Sequence, residues 1–195
     1  MSALPFRYGF CPARWQTGVN VMLTKFPDDN HVTKLRTIVL FKPEFNHGYK
    51  HVGYLMLKNA EQHNALAPKQ YESRKNKSAI DQYLNKRLTL ALICWAKLDT
   101  AICSNNAKGC YNRIIHGIAL LSMQQVGIQP QALQCMFGCL QKLRHYVCTA
   151  CGQSDIWETI TGAIPAHSVG QGNGAGPAIW AVISTVLFQH MRNNS

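Results

Sequence analysis

Acidic side chains are scarce. The 195-residue chain carries 9 Asp and Glu against 20 Lys and Arg, a formal net charge of +11. After Asp99 the acids are Asp155 and Glu158 alone, in an expected turn and strand. A paired-carboxylate active site in that half is therefore not expected. Long apolar runs are also missing: the longest, from Ala175 to Phe188, is too short to span a bilayer. The opening MSALPFRYGF lacks the charged-then-apolar order of a secretory leader. The expectation is a soluble intracellular chain, in the nucleus or cytoplasm. Internal repeats, low-complexity tracts and linkers are absent, and 47% hydrophobic residues allow a core in one domain or two small ones.

Cysteine is too sparse for a secreted disulfide scaffold, with 8 residues in the whole chain. Cys135 and Cys139, together with Cys148 and Cys151, have roughly the ligand pairing of a zinc site. Because Cys135 and Cys139 stand four apart on an expected helix, thiols packed in a core are the preferred reading. A nucleophilic hydrolase is discounted. His116 and His145 could serve a cysteine, but no nucleophile turn accompanies them.

What the chain does have is positive charge, concentrated at one end. Residues 1–90 hold 14 Lys and Arg against 6 acids, and residues 91–195 hold 6 against 3. A basic half attracts polyanions, nucleic acid foremost, although a solvated surface would show the same balance.

Two alternating segments, VNVMLTKF (19–26) and KLRTIVLF (34–41), flank the turn residues PDDNHVT and read as a β-hairpin bearing Lys25, Lys34 and Arg36. After Pro43, the spacing of Phe45, Tyr49, Val52 and Met56 predicts a helix that Gly48 and Gly53 weaken. The basic loop QYESRKNKSAID precedes a stronger helix marked by Ile80, Tyr83, Leu84, Leu88, Ala91, Leu92 and Trp95. AICSNNA (101–107) reads as a strand, RIIHGIALLSMQQV (113–126) as a helix stopped by Gly127, and Pro130 as the start of another. In that last helix Leu133, Met136, Phe137, Leu140 and Leu143 make a core stripe. HYVCTAC and ETITGAI read as strands joined by a turn, and Pro177 suits the first turn of a final helix. Without regular β-α-β alternation, the predicted class is α+β.

The glycines of VGQGNGAGPAIW fit neither common phosphate loop. No Lys follows them, and Ala175 or Pro177 occupies a position where a dinucleotide fingerprint needs Gly. Their neighbours give them meaning. Four segments, in order, resemble the reverse transcriptase domain of retroelements. They are the hairpin with KLRTIVL; QYESRKNKSAIDQYL, similar to Q-[YF]-G-[FS]-R-K-x-x-S-[AT]-I-D; SNNAKGCYNRI, similar to the palm motif D-x4-[FY]-D; and VGQGNGAGPAIW, similar to Q-G-x3-S-P. The resemblance covers roughly residues 15–190.

It implies a fingers-like basic region over 1–97 and an incomplete palm-like region over 98–195. It implies template-directed nucleotidyl transfer on an RNA or DNA template–primer with a nucleoside triphosphate and Mg2+. Lys25 and Arg36 would meet the triphosphate, and Tyr111 falls at the position that excludes a ribose 2′-hydroxyl. Gln171 and Gly172 would lie against the base pair, and Arg74, Lys75 and Lys77 would hold template phosphates.

The departures weigh on activity. Asn106 and Asn112 stand where the family has its metal-binding acids, and a neutral amide is a poor ligand for a hard cation. Glu72 replaces a turn glycine, Gly176 replaces a serine, and the family's second metal motif, Y-x-D-D, falls past Ser195. The expectation is an inactive reverse transcriptase fragment that self-associates through exposed palm surface. The alternatives are a non-catalytic nucleic-acid-binding module and a zinc-stabilised interaction protein.

Overall fold

The computed structural model describes residues 3–25, 31, 35–68, 70–100, 107, 109–149, 152–158 and 167–193. Lys34, Asn106, Cys151, nearly all of the expected strand AICSNNA and most of ETITGAI lie outside the described residues.

The expected hairpin forms. Strands β1 (Thr17–Thr24) and β2 (Leu35–Leu40) pair antiparallel, from Val19 opposite Leu40 to Thr24 opposite Leu35. Alternation turns Val39 inward and leaves Arg36 in solvent. Strand β3 (Arg144–Thr149) then joins the other edge of β1 in parallel, so that Thr17 meets Arg144 and Asn20 meets Val147. The buried Asn20 amide lies 3.2 Å from His145 Nδ1 across this seam.

Strands β4 (Gly152–Gln153) and β5 (Trp157–Glu158) both return antiparallel along β3, with a register that slips by one residue between them. The slip is a bulge at Ser154. Its N–H donates to Val147 O at 3.0 Å, while its hydroxyl accepts from Val147 N–H at 2.9 Å. The ladder groups therefore stay satisfied. The sheet order is β2-β1-β3-β4.

Helices complete the mixed α+β body. They are α1 (Ala3–Tyr8), α2 (Pro43–Gln62), α3 (Ala79–Trp95), α4 (His116–Gln125), α5 (Pro130–Gln141) and α6 (Gly176–Asn193). Proline opens α2 and α5, where its missing N–H costs no intrahelical bond, and Pro177 lies in the first turn of α6. The helix expected over 113–126 starts later, because Cys110–Arg113 closes into a 3-10 turn. Helix α1, too short for a periodic signal, was not legible in the sequence.

The core joins both halves of the chain. Trp15, Phe45 and Tyr49 form a ring cluster, with centroids 5.2 Å apart for Trp15–Phe45 and 4.3 Å for Phe45–Tyr49. The Tyr49 hydroxyl crosses the core to donate to Met136 O at 2.6 Å. The stripe Leu133, Met136, Phe137, Leu140 and Leu143 is buried as its spacing predicts. Cys135 and Cys139 are buried within it, whereas Cys148 is exposed. Among the described residues no three His, Cys, Asp or Glu side chains gather as metal ligands. Cys11, on the loop before β1, has its thiol drawn down to about 7, first by a hydrogen bond with Cys139 and then by one from Gln16, against the effect of burial.

Two expectations shift. Gly48 and Gly53 look like flaws in α2, yet both stand at close packing contacts. A side chain at Gly48 would enter the Phe6 ring, and one at Gly53 would sit 3.0 Å from the Cα of Ala175, the residue before α6. Each glycine costs the helix about 1 kcal/mol against alanine. In return α2 approaches α6 backbone to backbone.

The second shift concerns α3. The helix is present and opens with a reciprocal cap between Ser78 and Asp81, but its apolar face does not enter the core. None of its residues is buried; Ile80 is 76% exposed and Trp95 83%. Among the described residues no helix is long and apolar enough to cross a membrane.

Overpacking the α2–α6 crossing tests the role of Gly53. Gly53→Val should lower stability by about 1–3 kcal/mol, beyond any helix-propensity change, read as a shift in urea midpoint at unchanged slope. Gly117→Ala is the control. It sits on a helix with nothing within 4 Å of the added methyl, and its midpoint should not fall.

Candidate nucleic-acid interface

The glycine-rich segment bridges two parts of the fold. On one side, Ser168 N–H donates to Ile114 O at 2.9 Å and Val169 N–H to Tyr111 O at 3.0 Å, which fastens the segment to the 3-10 turn. On the other, Val39 N–H on β2 donates to Gln171 O at 2.6 Å. Gly172 has φ +107°, and a side chain there would overlap the Val39 carbonyl oxygen. Only glycine allows this approach.

Two asparagines hold the loop in shape. Asn46, on α2, donates to Gly172 O at 3.0 Å and accepts from Gly174 N–H at 2.7 Å. Asn173 is buried; it donates to Val169 O at 2.8 Å and accepts from Ala175 N–H at 2.9 Å. Backbone groups that would otherwise be orphaned at the entry to α6 are thereby paired. Periodicity carried no signal for either residue. Asn46 reads as a polar position on α2, and Asn173 as one more small residue among glycines.

The bridged arrangement encloses an open cavity of about 560 Å3. Arg36 and Ile38 come from β2, Gly109 and Tyr111 from the turn, and Gln171 and Gly172 from the glycine loop. Residues far apart in sequence thus meet, and they belong to three of the four segments singled out above. The fourth reaches the cavity edge through Glu72, which accepts a long hydrogen bond of 3.4 Å from the Tyr111 hydroxyl. Burial first, and the Glu72 charge second, push the Tyr111 phenol up to about 12. Tyr111 therefore stays a neutral donor across the physiological range. Gly176 faces its ring, and a Cβ there would make an ordinary 3.6 Å contact. A serine at 176 would fit without a clash.

The remaining predicted residues divide. Lys25 is exposed at the end of the hairpin and does not line the cavity, and Asn112 is exposed on the 3-10 turn. Lys75 and Lys77 are exposed on the loop before α3, with Lys77 Nζ 5.3 Å from the centre of the Tyr71 ring. Arg74 is engaged elsewhere. Its guanidinium bonds to Glu61 Oε1 at 3.4 Å, Ala67 O at 3.3 Å and Gln70 O at 3.4 Å. It clasps its own loop rather than facing solvent. Asn106 lies outside the described residues.

Behind the loop, His116 holds its base. Its Nε2 is 2.8 Å from Ser168 O, which can only accept, so Nε2 carries the proton. Nδ1 is buried with no partner among the described residues, and the ring packs on Phe137 at 5.2 Å. Burial lowers its pKa despite the Ser168 contact.

No protein-family model matches this chain, and no curated protein does.

Depressed histidines give stability a pH dependence of definite sign. His116, and likewise His145, bind a proton less readily folded than unfolded. Their contribution is complete above the ordinary value of 6.5 and is lost as pH falls through the lowered folded values. The urea midpoint should therefore drop between pH 7.5 and 5.5, and His116→Gln should flatten part of that slope. An unchanged slope in the variant would contradict the assignment to His116.

Proposed function

We propose that this chain is a polymerase-type body of the reverse transcriptase kind that binds an RNA or DNA template–primer without carrying out nucleotidyl transfer. One observation carries the reading. Arg36, Tyr111, Gln171 and Gly172, named from separate segments by resemblance, line one cavity.

In this reading the exposed Arg36 guanidinium offers charge to a phosphate group at the mouth of the cavity. The bare backbone of Gly172 lets a base pair lie close, and the neutral Tyr111 ring limits room beside the sugar. Lys75 and Lys77 supply phosphate contacts that set affinity without reading sequence. Arg74, committed to Glu61 and two carbonyls, contributes through the shape of their loop.

Magnesium enters through the resemblance alone. Two-metal phosphoryl transfer needs carboxylates that bridge both ions, and the described residues at this cavity do not fit that need. Among the described residues the lining carries no carboxylate; Glu72 at its edge is held against Tyr111, and Asn112, a neutral amide, lies outside the lining.

Binding should be salt-sensitive. With a labelled RNA–DNA hybrid, affinity measured by anisotropy should fall steeply as salt rises, because each phosphate neutralised releases counterion. Changing Lys75 and Lys77 together to Ala should weaken binding and make the log–log salt slope shallower by about 2. Primer extension with Mg2+ or Mn2+ should stay at the level of a mock preparation. Affinity indifferent to salt, or loss of both lysines without effect, would overturn the binding reading; template-dependent incorporation would overturn its non-catalytic part.

A further inference from the structure

Three cysteines meet at one place away from the cavity. Cys135 and Cys139 lie one turn apart on α5, both buried, and Cys11 comes against them from the loop between α1 and β1. The Cys11 thiol is in hydrogen-bond contact with Cys139, and Cys139 with Cys135. The chain at Cys11 runs so near α5 that its Cβ is 3.8 Å from where a side chain on Gly138 would begin. Among the described residues the three do not converge as metal ligands.

The thiols differ in ways that divide their chemistry. Cys11 is half-buried, so a small reagent can reach it. Gln16 Nε2 lies 3.3 Å from its sulfur and 3.3 Å from its carbonyl oxygen, and donates to both. The Cys139 contact first, then the Gln16 donor and the Lys142 cation, draw Cys11 down to about 7 against the effect of burial. Cys139 is pushed up, first by its contact with Cys11, then by that with Cys135 and by burial, so it stays a protonated donor. Tyr49, which reaches the same place from α2, is also held neutral by burial, with its hydroxyl committed to Met136 O. A reachable thiolate that accepts two donors beside a cation is a nucleophile, and a neutral thiol against it is placed to resolve what it forms.

We propose that Cys11 is a modification site for hydroperoxides, with Cys139 as its resolving thiol, so that the two close a reversible disulfide between the N-terminal loop and α5. In the first step the Cys11 thiolate attacks one oxygen of hydrogen peroxide. An S–O bond forms and the O–O bond breaks; sulfur is oxidised to the sulfenic acid, the peroxide is reduced, and its second oxygen leaves as hydroxide and takes a proton from water. In the second step the Cys139 sulfur attacks the Cys11 sulfur. The S–S bond forms, the S–O bond breaks, and the hydroxyl departs as water with the Cys139 proton. Pairing of Cys135 with Cys139 is disfavoured by the helix itself: Cβ atoms four residues apart stand about 5–6 Å from each other, beyond the roughly 3.5–4.5 Å that a disulfide spans. Nothing in this chemistry depends on nucleic acid.

The whole chain, reduced and then freed of reductant, is treated with equimolar hydrogen peroxide, blocked with iodoacetamide and mapped by mass spectrometry. Peptides joined through Cys11 and Cys139 are expected, and dithiothreitol should return both thiols. Cys139→Ser should halt the reaction at the Cys11 sulfenic acid, captured by dimedone. Because Cys139 is a core residue, a second measurement leaves it in place. The rate of iodoacetamide alkylation at Cys11, followed against pH, should be half-maximal at about 7 instead of the ~8.5 of a free cysteine. Gln16→Ala, which removes one donor from the sulfur, should shift that midpoint upward. Oxidation that falls first on the exposed Cys94 or Cys148, a disulfide joining Cys135 to Cys139, or a Cys11 profile that Gln16→Ala leaves unmoved would overturn the proposal.

Discussion

The close approach of two backbones where Gly172 lies against the Val39 carbonyl is the constraint on which the rest of the cavity depends. With a side chain at 172 the loop could not reach β2, and the bond from Val39 N–H to Gln171 O would be lost. Arg36 and Tyr111 would then belong to separate surfaces. The same few residues lead into α6, whose first turn packs on Gly53 of α2. Sheet, loop and helix crossing are therefore coupled through glycines at close contacts, where size rather than polarity decides what is tolerated.

Asparagine side chains do what regular secondary structure cannot at this junction. A loop with its glycines at φ +74° and φ +107° cannot pair its own amides in a ladder. Asn46 and Asn173 supply donors and acceptors at hydrogen-bond distance instead, and His116 steadies the carbonyl of Ser168 from below. Because these partners are uncharged and mostly enclosed, salt leaves the scaffold alone while acting on the exposed lysines around it.

Much of the fold was legible because burial follows period. The hairpin, α2, α5 and the start of α6 all announce themselves through spacing or through proline at a helix entry. Position in space was far less legible. The periodic stripe of α3 gives its helicity correctly but says nothing about what would cover it, since a stripe looks alike whether it faces a core or a partner. In the cavity, Arg36, Tyr111, Gln171 and Gly172, which the resemblance singles out, do meet. Arg74 was named beside Lys75 and Lys77, and no spacing rule distinguishes the cation that clasps Glu61 from the two that face solvent. Asn46 was missed for a related reason: a polar residue on a helix reveals its partner only when the chain is folded.

The parallel seam between β1 and β3 also sets an order of events in time. Asn20 and His145 are separated by 125 residues yet share one contact, and parallel pairing cannot be made by a local turn. A ribosome adding about 5–20 residues per second would hold β1 waiting on the order of 6–25 s before β3 exists. During that interval one edge of β1 is open, and only the hairpin with β2 can form. Synthesis speed over the middle of the chain thus bears directly on how long an unpaired strand edge is offered to other nascent chains.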